Sequence, residues 1–474
     1  MIAQLLRRTA TREPDTVAFV DGDRRLTYAE WDWLSDRAAF SLWAEGARPG
    51  DVIALVLQPS IAYPIAYLGA AKIGCVTAGI NPRLAPPEIE HVLDDCDARM
   101  LVTDDERFAD DPMSFTPERV LRPGSSPPEV ERTEDDPVAI VYTSGTTGLP
   151  KGAVFASGAL GAVRRIDAAV DTQARPVGIQ AIPMAHVGFM TKIGSFIDRA
   201  ATSVLLPRWS AREALEVVAR ERVTVLGGIP TQLTLMMHDA AFASTDRSSL
   251  RSIVLGGAPA TSGLVREIRE AFGAPVTVRY SCTELALCTA TRSGDPEDVA
   301  AQTVGKPLPE VDLVIRHAGN DGVGEICARS PAMMTRYARG TPPFDEHGFF
   351  CTGDLGWVDH SGNLRITGRA KEMYIRGGYN VYPVEVEAAL VSHPDITAAA
   401  VIGVPDEVLG EKGIAFVTAR AGAQALDPDA LKVFLRARLA DYKVPDVIRF
   451  RTALPLTSMF KIDKRALRAE LDPS

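Results

Sequence analysis

The residues from Tyr142 to Gly152 read YTSGTTGLPKG, which places three glycines, four Ser/Thr hydroxyls and one lysine in a single short segment. Glycines let a backbone approach an anion closely and turn its N–H groups toward it, so the segment suits phosphate. Thr143, Ser144, Thr146 and Thr147 add hydroxyl donors, and Lys151 adds a positive charge. It is not a Walker loop: Pro150 precedes Lys151, and Gly152 stands where that loop has its metal-binding Ser or Thr. A plain flexible Gly/Thr turn after a strand would leave the hydroxyls and the lysine unexplained.

Other side chains along the chain have types suited to acid–base or electrostatic work. Glu284 lies in YSCTE, Asp354 in CTGD, His186 in IPMAHVGF and Lys461 in SMFKIDKR. Each also has an ordinary reading. A glutamate is favoured at a helix N-terminus by the dipole, and an aspartate can cap a turn. Lys461 sits near Lys464, Arg465 and Arg468, as in a solvated basic stretch. An isolated histidine among apolar residues is commonly a hydrogen-bonded core side chain.

Taken in order, these segments resemble the adenylate-forming acyl-CoA synthetases, with their relatives the luciferases and peptide-synthetase adenylation domains. YTSGTTGLPKG reproduces that family's phosphate-loop signature. GGAPA (Gly256 to Ala260) looks like its adenine-edge loop, YSCTE its YGxTE segment and CTGD its ribose-binding TGD. GRAKEMYIRGGYNVYPVEVE (Gly368 to Glu387) resembles the hinge and thioester-forming hairpin, and LPLTSMFKIDKRALR (Leu454 to Arg468) the terminal lysine motif.

The resemblance implies an ATP-dependent, AMP-forming acid:CoA ligase. A carboxylate has a poor leaving group; attack on the α-phosphate of ATP makes an acyl adenylate, and the thiol of coenzyme A then displaces AMP. Negative charge develops on phosphate oxygens, so positioning and fixed cations do most of the work. By this resemblance Lys461, Glu284 and His186 are the catalytic set. Thr143, Ser144, Gly145, Thr146, Thr147, Gly148 and Lys151 would hold the phosphates. Gly257, Ala258, Pro259, Tyr280, Ser281, Thr283, Asp354 and Arg369 would hold the rest of the nucleotide. Glu284 would bind Mg²⁺, with Thr146 as a second ligand. Lys371 would be the hinge, and Gly377 and Gly378 would line the coenzyme A tunnel, although a plain hairpin turn also explains those glycines. His186, Gly188, Phe189, Gly228, Gly257 and Ser281 would line the acyl pocket, and His186 could also gate it. These mostly small or apolar walls suit a fatty, aryl or alicyclic acid. Lys192 has two readings, facing a second carboxylate in that pocket or standing as a solvated helix lysine, and the second is expected.

Three positions depart from the family pattern. Ser281 replaces the Gly of YGxTE, and Ala185 replaces an aromatic before His186. Phe460 replaces the Gly before the terminal lysine, where a positive φ would penalise any side chain, so a reshaped lysine loop or a harder adenylation step is expected. The departures keep two alternatives open: transfer to a carrier-protein thiol or an amine, and a low-turnover nucleotide-binding homologue. The hairpin RGGYNVYPVEVE resembles that of CoA ligases more than that of peptide-synthetase domains.

The elements that must position these residues read as follows. Strand-like and helix-like segments alternate to about residue 300, for example AREALEVVARERV then TVLGGIP, and SIVLGGAP then GLVREIREAF, which implies parallel sheets covered by helices. Residues 103–137 are acidic and Pro-rich and read as surface connection. Residues 304–367 suggest a smaller antiparallel unit with AGNDG and DHSGN turns. The expected fold is α/β: an N-terminal domain (1–368) of parallel βα subdomains plus a small β-barrel-like subdomain, a hinge (369–371), and a small mobile α+β cap (372–474).

Composition bounds the function. The 474 residues carry 51 Lys and Arg against 61 Asp and Glu, a net charge of −10, which argues against wrapping nucleic acid. Val52 to Ala71 is uncharged over a bilayer-spanning length, but Pro59 and Pro64 interrupt it and it reads as a buried strand feeding a helix. The start, MIAQLLRRTATREPD, turns charged too early for a secretory signal. Six scattered cysteines without a C-x-x-C pair argue against a disulfide scaffold and a zinc site, and favour a reducing, cytoplasmic setting. The expected partners are a small carboxylic acid, ATP and coenzyme A, with no transmembrane segment, and the resemblance leaves room for a homodimer.

Overall fold

Strands buried on both faces need continuous apolar runs, and VIALV (Val52–Val56), VTAGI (Val76–Ile80) and PVAIVY (Pro137–Tyr142) supply them. In the computed structural model these strands pair in parallel within a seven-stranded sheet that also takes in Ala98–Thr103, Gly152–Ala156 and Arg336–Tyr337. A nine-stranded sheet lies beside it in the chain order, with Val177–Gln180, Thr202–Leu205, Val225–Gly228, Ser252–Gly256 and Val276–Tyr280 all parallel. The structure describes residues 2–471 except 109, 112, 121–126, 144–149, 171–172, 181, 320–321, 421–425 and 458–459.

Helices return the chain between these strands, and local chemistry marks their ends. Ser210 caps Ala211–Arg220 by accepting from the Glu213 N–H, and Thr261 caps Ser262–Phe272 in the same way. Gly273 closes the second helix in the left-handed region at φ 68°. The uncharged stretch after Val52 forms a strand and the helix Ala62–Lys72, and among the described residues no helix is long and apolar enough to cross a membrane.

A four-stranded antiparallel meander follows, Asp312–Arg316, Gly324–Arg329, Phe350–Val358 and Leu364–Arg369. After a turn at 370–373 the chain enters a separate five-stranded sheet built on the long pair Ile396–Asp406 and Gly410–Ala419. Its own core contains Tyr374, Val401, Val417 and Leu435, with Phe416 and Leu467 on the other face.

Two expectations need correction. The 103–137 stretch is more than surface connection: Ser114–Phe115 adds a strand to Ala98–Thr103, and Phe108 and Phe115 are buried. Two of the six cysteines are also not scattered in space. Cys327 and Cys351 face each other in antiparallel register and form a disulfide, while Cys75, Cys96, Cys282 and Cys288 remain thiols. Sequence spacing holds no record of cross-strand register, so residues 24 positions apart meet unannounced.

Candidate functional site

In open parallel sheets the strand C-terminal ends border a crevice where neighbouring connections leave to opposite faces of the sheet. Several of the singled-out residues lie there. Gly228 and Tyr280 end their strands, Gly257–Pro259 follows Ser252–Gly256, and His186 follows Val177–Gln180.

The phosphate-loop segment joins two antiparallel strands in which Tyr142 pairs with Gly152. Its base is closed by the Thr143 N–H donating to Lys151 O at 3.0 Å and the Lys151 N–H donating to Thr143 Oγ1 at 3.2 Å. Gly152 is required by packing: a Cβ there would come within 2.7 Å of Ile140 Cγ2 and 2.8 Å of the Tyr142 ring. Ser144, Gly145, Thr146, Thr147 and Gly148 lie outside the described residues.

Beside Lys151 stands a residue that the sequence did not mark. Tyr337 lies on the short strand paired with Gly152–Ala156, and the Lys151 ammonium sits 5.4 Å from its ring centroid. Its hydroxyl donates to Glu284 Oε1 at 2.9 Å. Burial first, and Glu284 second, push the Tyr337 phenol well above its ordinary value, so it stays a donor. The Glu284 backbone is fixed too, its carbonyl accepting from the Met334 N–H at 2.8 Å. Only strand pairing makes Tyr337 a neighbour of both groups.

The second cluster centres on Asp354, which is buried. Asp354 and Arg369 are register partners, and Arg369 Nε donates to Asp354 Oδ1 at 2.8 Å. The Tyr280 hydroxyl donates to Asp354 Oδ2 at 2.8 Å, and the Thr352 hydroxyl donates to Ile326 O at 2.9 Å. Burial, then the Asp354 charge, raise the Tyr280 phenol far above its ordinary range. Immediately before Thr352 lies the Cys327–Cys351 disulfide. Glu325 approaches its sulfurs, the one grouping of potential metal ligands among the described residues, but its Oε1 accepts from the Gly353 N–H at 3.1 Å and both thiols are oxidised.

The cap brings Lys461 to this cluster. Burial, then Arg369, lower the Lys461 ammonium, while Asp354 opposes them. Lys461 is likewise one of the charges that act on His186, whose imidazole is pushed down to about 4 by burial first, then by Lys461 and Lys192. His186 Nδ1 accepts from the Gly188 N–H at 3.2 Å and so caps the short helix Val187–Met190. Lys464 of the same basic stretch is engaged elsewhere, its Nζ lying 2.7 Å from Glu372 and 2.8 Å from Glu387.

The remaining singled-out residues fall as follows. Gly257 has φ 76° and is exposed with Pro259, whereas Ala258 and Thr283 are half-buried. Ser281 is exposed, its hydroxyl donating to Cys282 O at 3.0 Å. Gly188 is exposed, while Phe189 is buried edge-on to Tyr63 at 5.9 Å. Lys371 is exposed in the turn before the cap. Gly377 and Gly378, at φ 58° and 86°, form a tight primed-type hairpin within the cap, and the Gly377 N–H donates to Leu409 O. Lys192 is not a solvated lysine. Its Nζ lies 3.9 Å from Asp167, a buried carboxylate that Arg279 and Arg199 also reach at 2.9 and 3.6 Å. Burial would raise Asp167, but Lys192, Arg279 and Arg199 outweigh it and hold the carboxyl at about 2.

Comparison with known proteins gives the family. Residues 6–338 match the AMP-binding enzyme family, and residues 385–461 match the AMP-binding enzyme C-terminal domain. The chain is 32% identical to the long-chain-fatty-acid–CoA ligase FadD13 of Mycobacterium tuberculosis over 99% of its own length and 98% of that protein's. It is 33% identical to the fatty acid–[acyl-carrier-protein] ligase ScoC of Streptomyces coeruleorubidus, covering 97% of this chain and 94% of ScoC. ATP-bound MatB from Rhodopseudomonas palustris superimposes with a TM-score of 0.91 at 27% identity, over 100% of this chain and 99% of that one. The chain therefore belongs to the AMP-binding enzyme family, the adenylate-forming superfamily, and is of its acyl-CoA synthetase type.

Proposed function

We propose that this protein is an ATP-dependent, AMP-forming acid:CoA ligase acting on a fatty, aryl or alicyclic carboxylic acid. The observation that carries the reading is the buried Asp354 carboxylate, held by Arg369 and Tyr280 at 2.8 Å each, with Lys461 of the cap close enough for the charges of Asp354 and Arg369 to act on it. In this reading Asp354 accepts from both ribose hydroxyls, with Tyr280 and Arg369 holding its carboxylate in place. Lys461 bridges the substrate carboxylate and the α-phosphate and neutralises charge as pyrophosphate leaves. Thr143 and Lys151 anchor the loop over the β- and γ-phosphates. His186, neutral and pinned as a helix cap, forms a wall near the reacting carboxylate.

Magnesium fits the donor set at Glu284. Among the described residues Tyr337 is the group that hydrogen-bonds this carboxylate, at Oε1, and a Mg²⁺ ion commonly takes one carboxylate plus substrate phosphates. Thr146 is proposed as a further ligand. When bound, the ion would neutralise phosphate charge. Glu284 would orient it and Tyr337 would hold Glu284. The 369–371 turn is proposed as the hinge between a body (1–368) and a cap (372–474). Rotation there would withdraw Lys461 and let the Gly377–Gly378 hairpin guide the thiol.

Coenzyme A is the acceptor favoured by the hairpin, and likeness to ScoC supports a carrier-protein thiol as the second reading. Pyrophosphate exchange over a panel of acids, followed by mass detection of acyl-CoA, tests both. Exchange and thioester together are expected. Exchange without thioester moves the acceptor to a carrier protein or an amine, and ATP binding without exchange for any acid rejects the ligase reading.

A further inference from the structure

The residue before Lys461 has a backbone that its side chain disfavours. Phe460 stands at φ 58°, in the left-handed region that glycine adopts without penalty and a phenylalanine does not. The described residues on either side of it are nevertheless tied together. The Thr457 N–H donates to Lys461 O at 2.7 Å, the Phe460 N–H donates to Thr457 O at 2.9 Å, and Leu456 bridges to Ile462. Ile462 packs into the cap core, so the loop has an inward side and a side turned to the body.

On the body side, the Phe460 ring meets Trp209 edge-on, with centroids 5.5 Å apart and planes at 65°. The Arg83 guanidinium lies 5.9 Å from the same ring centroid. Trp209 follows the strand Thr202–Leu205 of the nine-stranded sheet, and Arg83 follows Val76–Ile80 of the seven-stranded sheet. Both residues line one groove with Pro59, Pro82, Pro183 and Leu206. Phe460 therefore reaches across the seam between the two sheets, one residue from Lys461.

We propose that Phe460 is a positioning residue: its ring, seated against Trp209 and Arg83, docks the cap on the body and sustains the left-handed loop that presents Lys461. This rests on the reading of Lys461 as the adenylation lysine. A glycine would leave the loop equally at ease docked or free. With phenylalanine, the loop shape holds while the ring is seated and relaxes once the cap departs, so loop geometry and docking become one switch. An edge-on aromatic pair with a cation at its face is strong enough to bias such an equilibrium about tenfold.

The test compares Phe460→Gly, Phe460→Ala, Phe460→Tyr, Trp209→Ala and the double variant Phe460→Ala with Trp209→Ala, all in the full chain. Adenylation is followed by pyrophosphate exchange, and the second half-reaction by thioester formation from a supplied acyl adenylate. Amide hydrogen exchange over residues 454–462 is measured alongside, because it needs no turnover. The expected outcome is an adenylation kcat about tenfold lower in Phe460→Gly and lower still in Phe460→Ala. Thioester formation should be unchanged or faster, and Phe460→Tyr should keep wild-type behaviour. Exchange in the loop should quicken in Phe460→Ala and Trp209→Ala, with no further gain in the double variant. Equal loss of both half-reactions, or loop exchange unchanged in all variants, overturns the proposal. If the wild type catalyses neither half-reaction while loop exchange still responds, the anchor stands and the ligase reading falls.

Discussion

Asp354 and Arg369 face each other across adjacent antiparallel strands, and the 2.8 Å bond between them leaves the carboxylate buried and fixed. Tyr280 bonds its other oxygen at 2.8 Å, so under the proposed function neither oxygen would have to be reoriented for the ribose diol. Groups fixed in this way avoid the ordering cost that a mobile acceptor would bring. Asp354→Asn keeps the shape and removes the charge. It is expected to raise the KM for ATP by about ten- to a hundredfold, the range for losing charge-assisted hydrogen bonds. Initial-rate exchange against ATP concentration measures this, and an unchanged KM would remove Asp354 from the nucleotide site.

Tyr337 is the outer support of Glu284, 2.9 Å from its Oε1. Partners of metal-ligating groups commonly change metal affinity by an order of magnitude when lost. Tyr337→Phe is therefore expected to raise the half-saturating Mg²⁺ concentration about tenfold while leaving the KM for the acid alone. A titration of exchange rate with Mg²⁺ checks it. An acid KM that moves instead would place Tyr337 in the acyl site.

The residues legible in the sequence were those whose neighbours in space are also neighbours in the chain. YTSGTTGLPKG and YSCTE each place several relevant groups at one strand end, where parallel strands gather them by topology, and CTGD places its groups along a single strand of the antiparallel meander. Tyr337 reaches Glu284 and Lys151 only because Arg336–Tyr337 pairs with Gly152–Ala156. Cys327 meets Cys351, and Lys192 joins Asp167 and Arg279, for the same kind of reason. Phe460 was legible as a departure and as a backbone penalty. Its compensation was not, since Trp209 is more than two hundred residues away and on another sheet.

The low imidazole value of His186 gives a pH dependence of known sign. Its folded value is about 4 against 6.5 in the unfolded chain. Above pH 6.5 both forms are neutral and the stability is complete. As pH falls toward 4 the unfolded chain takes up a proton that the folded chain refuses, so stability is lost across that window. Asparagine is a good helix N-cap and does not titrate, so His186→Asn isolates the effect. Between pH 7 and pH 5 the wild type should lose about 2 kcal/mol relative to the variant in denaturant unfolding. The adenylation rate should also show no inflection near pH 6.5. A parallel pH dependence in both proteins would mean that His186 is solvated and protonates normally.

The Cys327–Cys351 disulfide ties together the strands that present Thr352 and Asp354, and it makes a chemical prediction independent of catalysis. Under denaturing, non-reducing conditions four thiols should alkylate, those of Cys75, Cys96, Cys282 and Cys288, and six should do so after reduction. Closing a loop of this length restrains the unfolded chain by about 3 kcal/mol. Cys327→Ser and Cys351→Ser should each lower stability by about that amount in oxidised protein, and dithiothreitol should bring the wild type to the same level. The serine variants should then be indifferent to the reductant. Six thiols labelled without reduction would place both cysteines in the reduced state, and the loss on serine substitution would then be confined to packing.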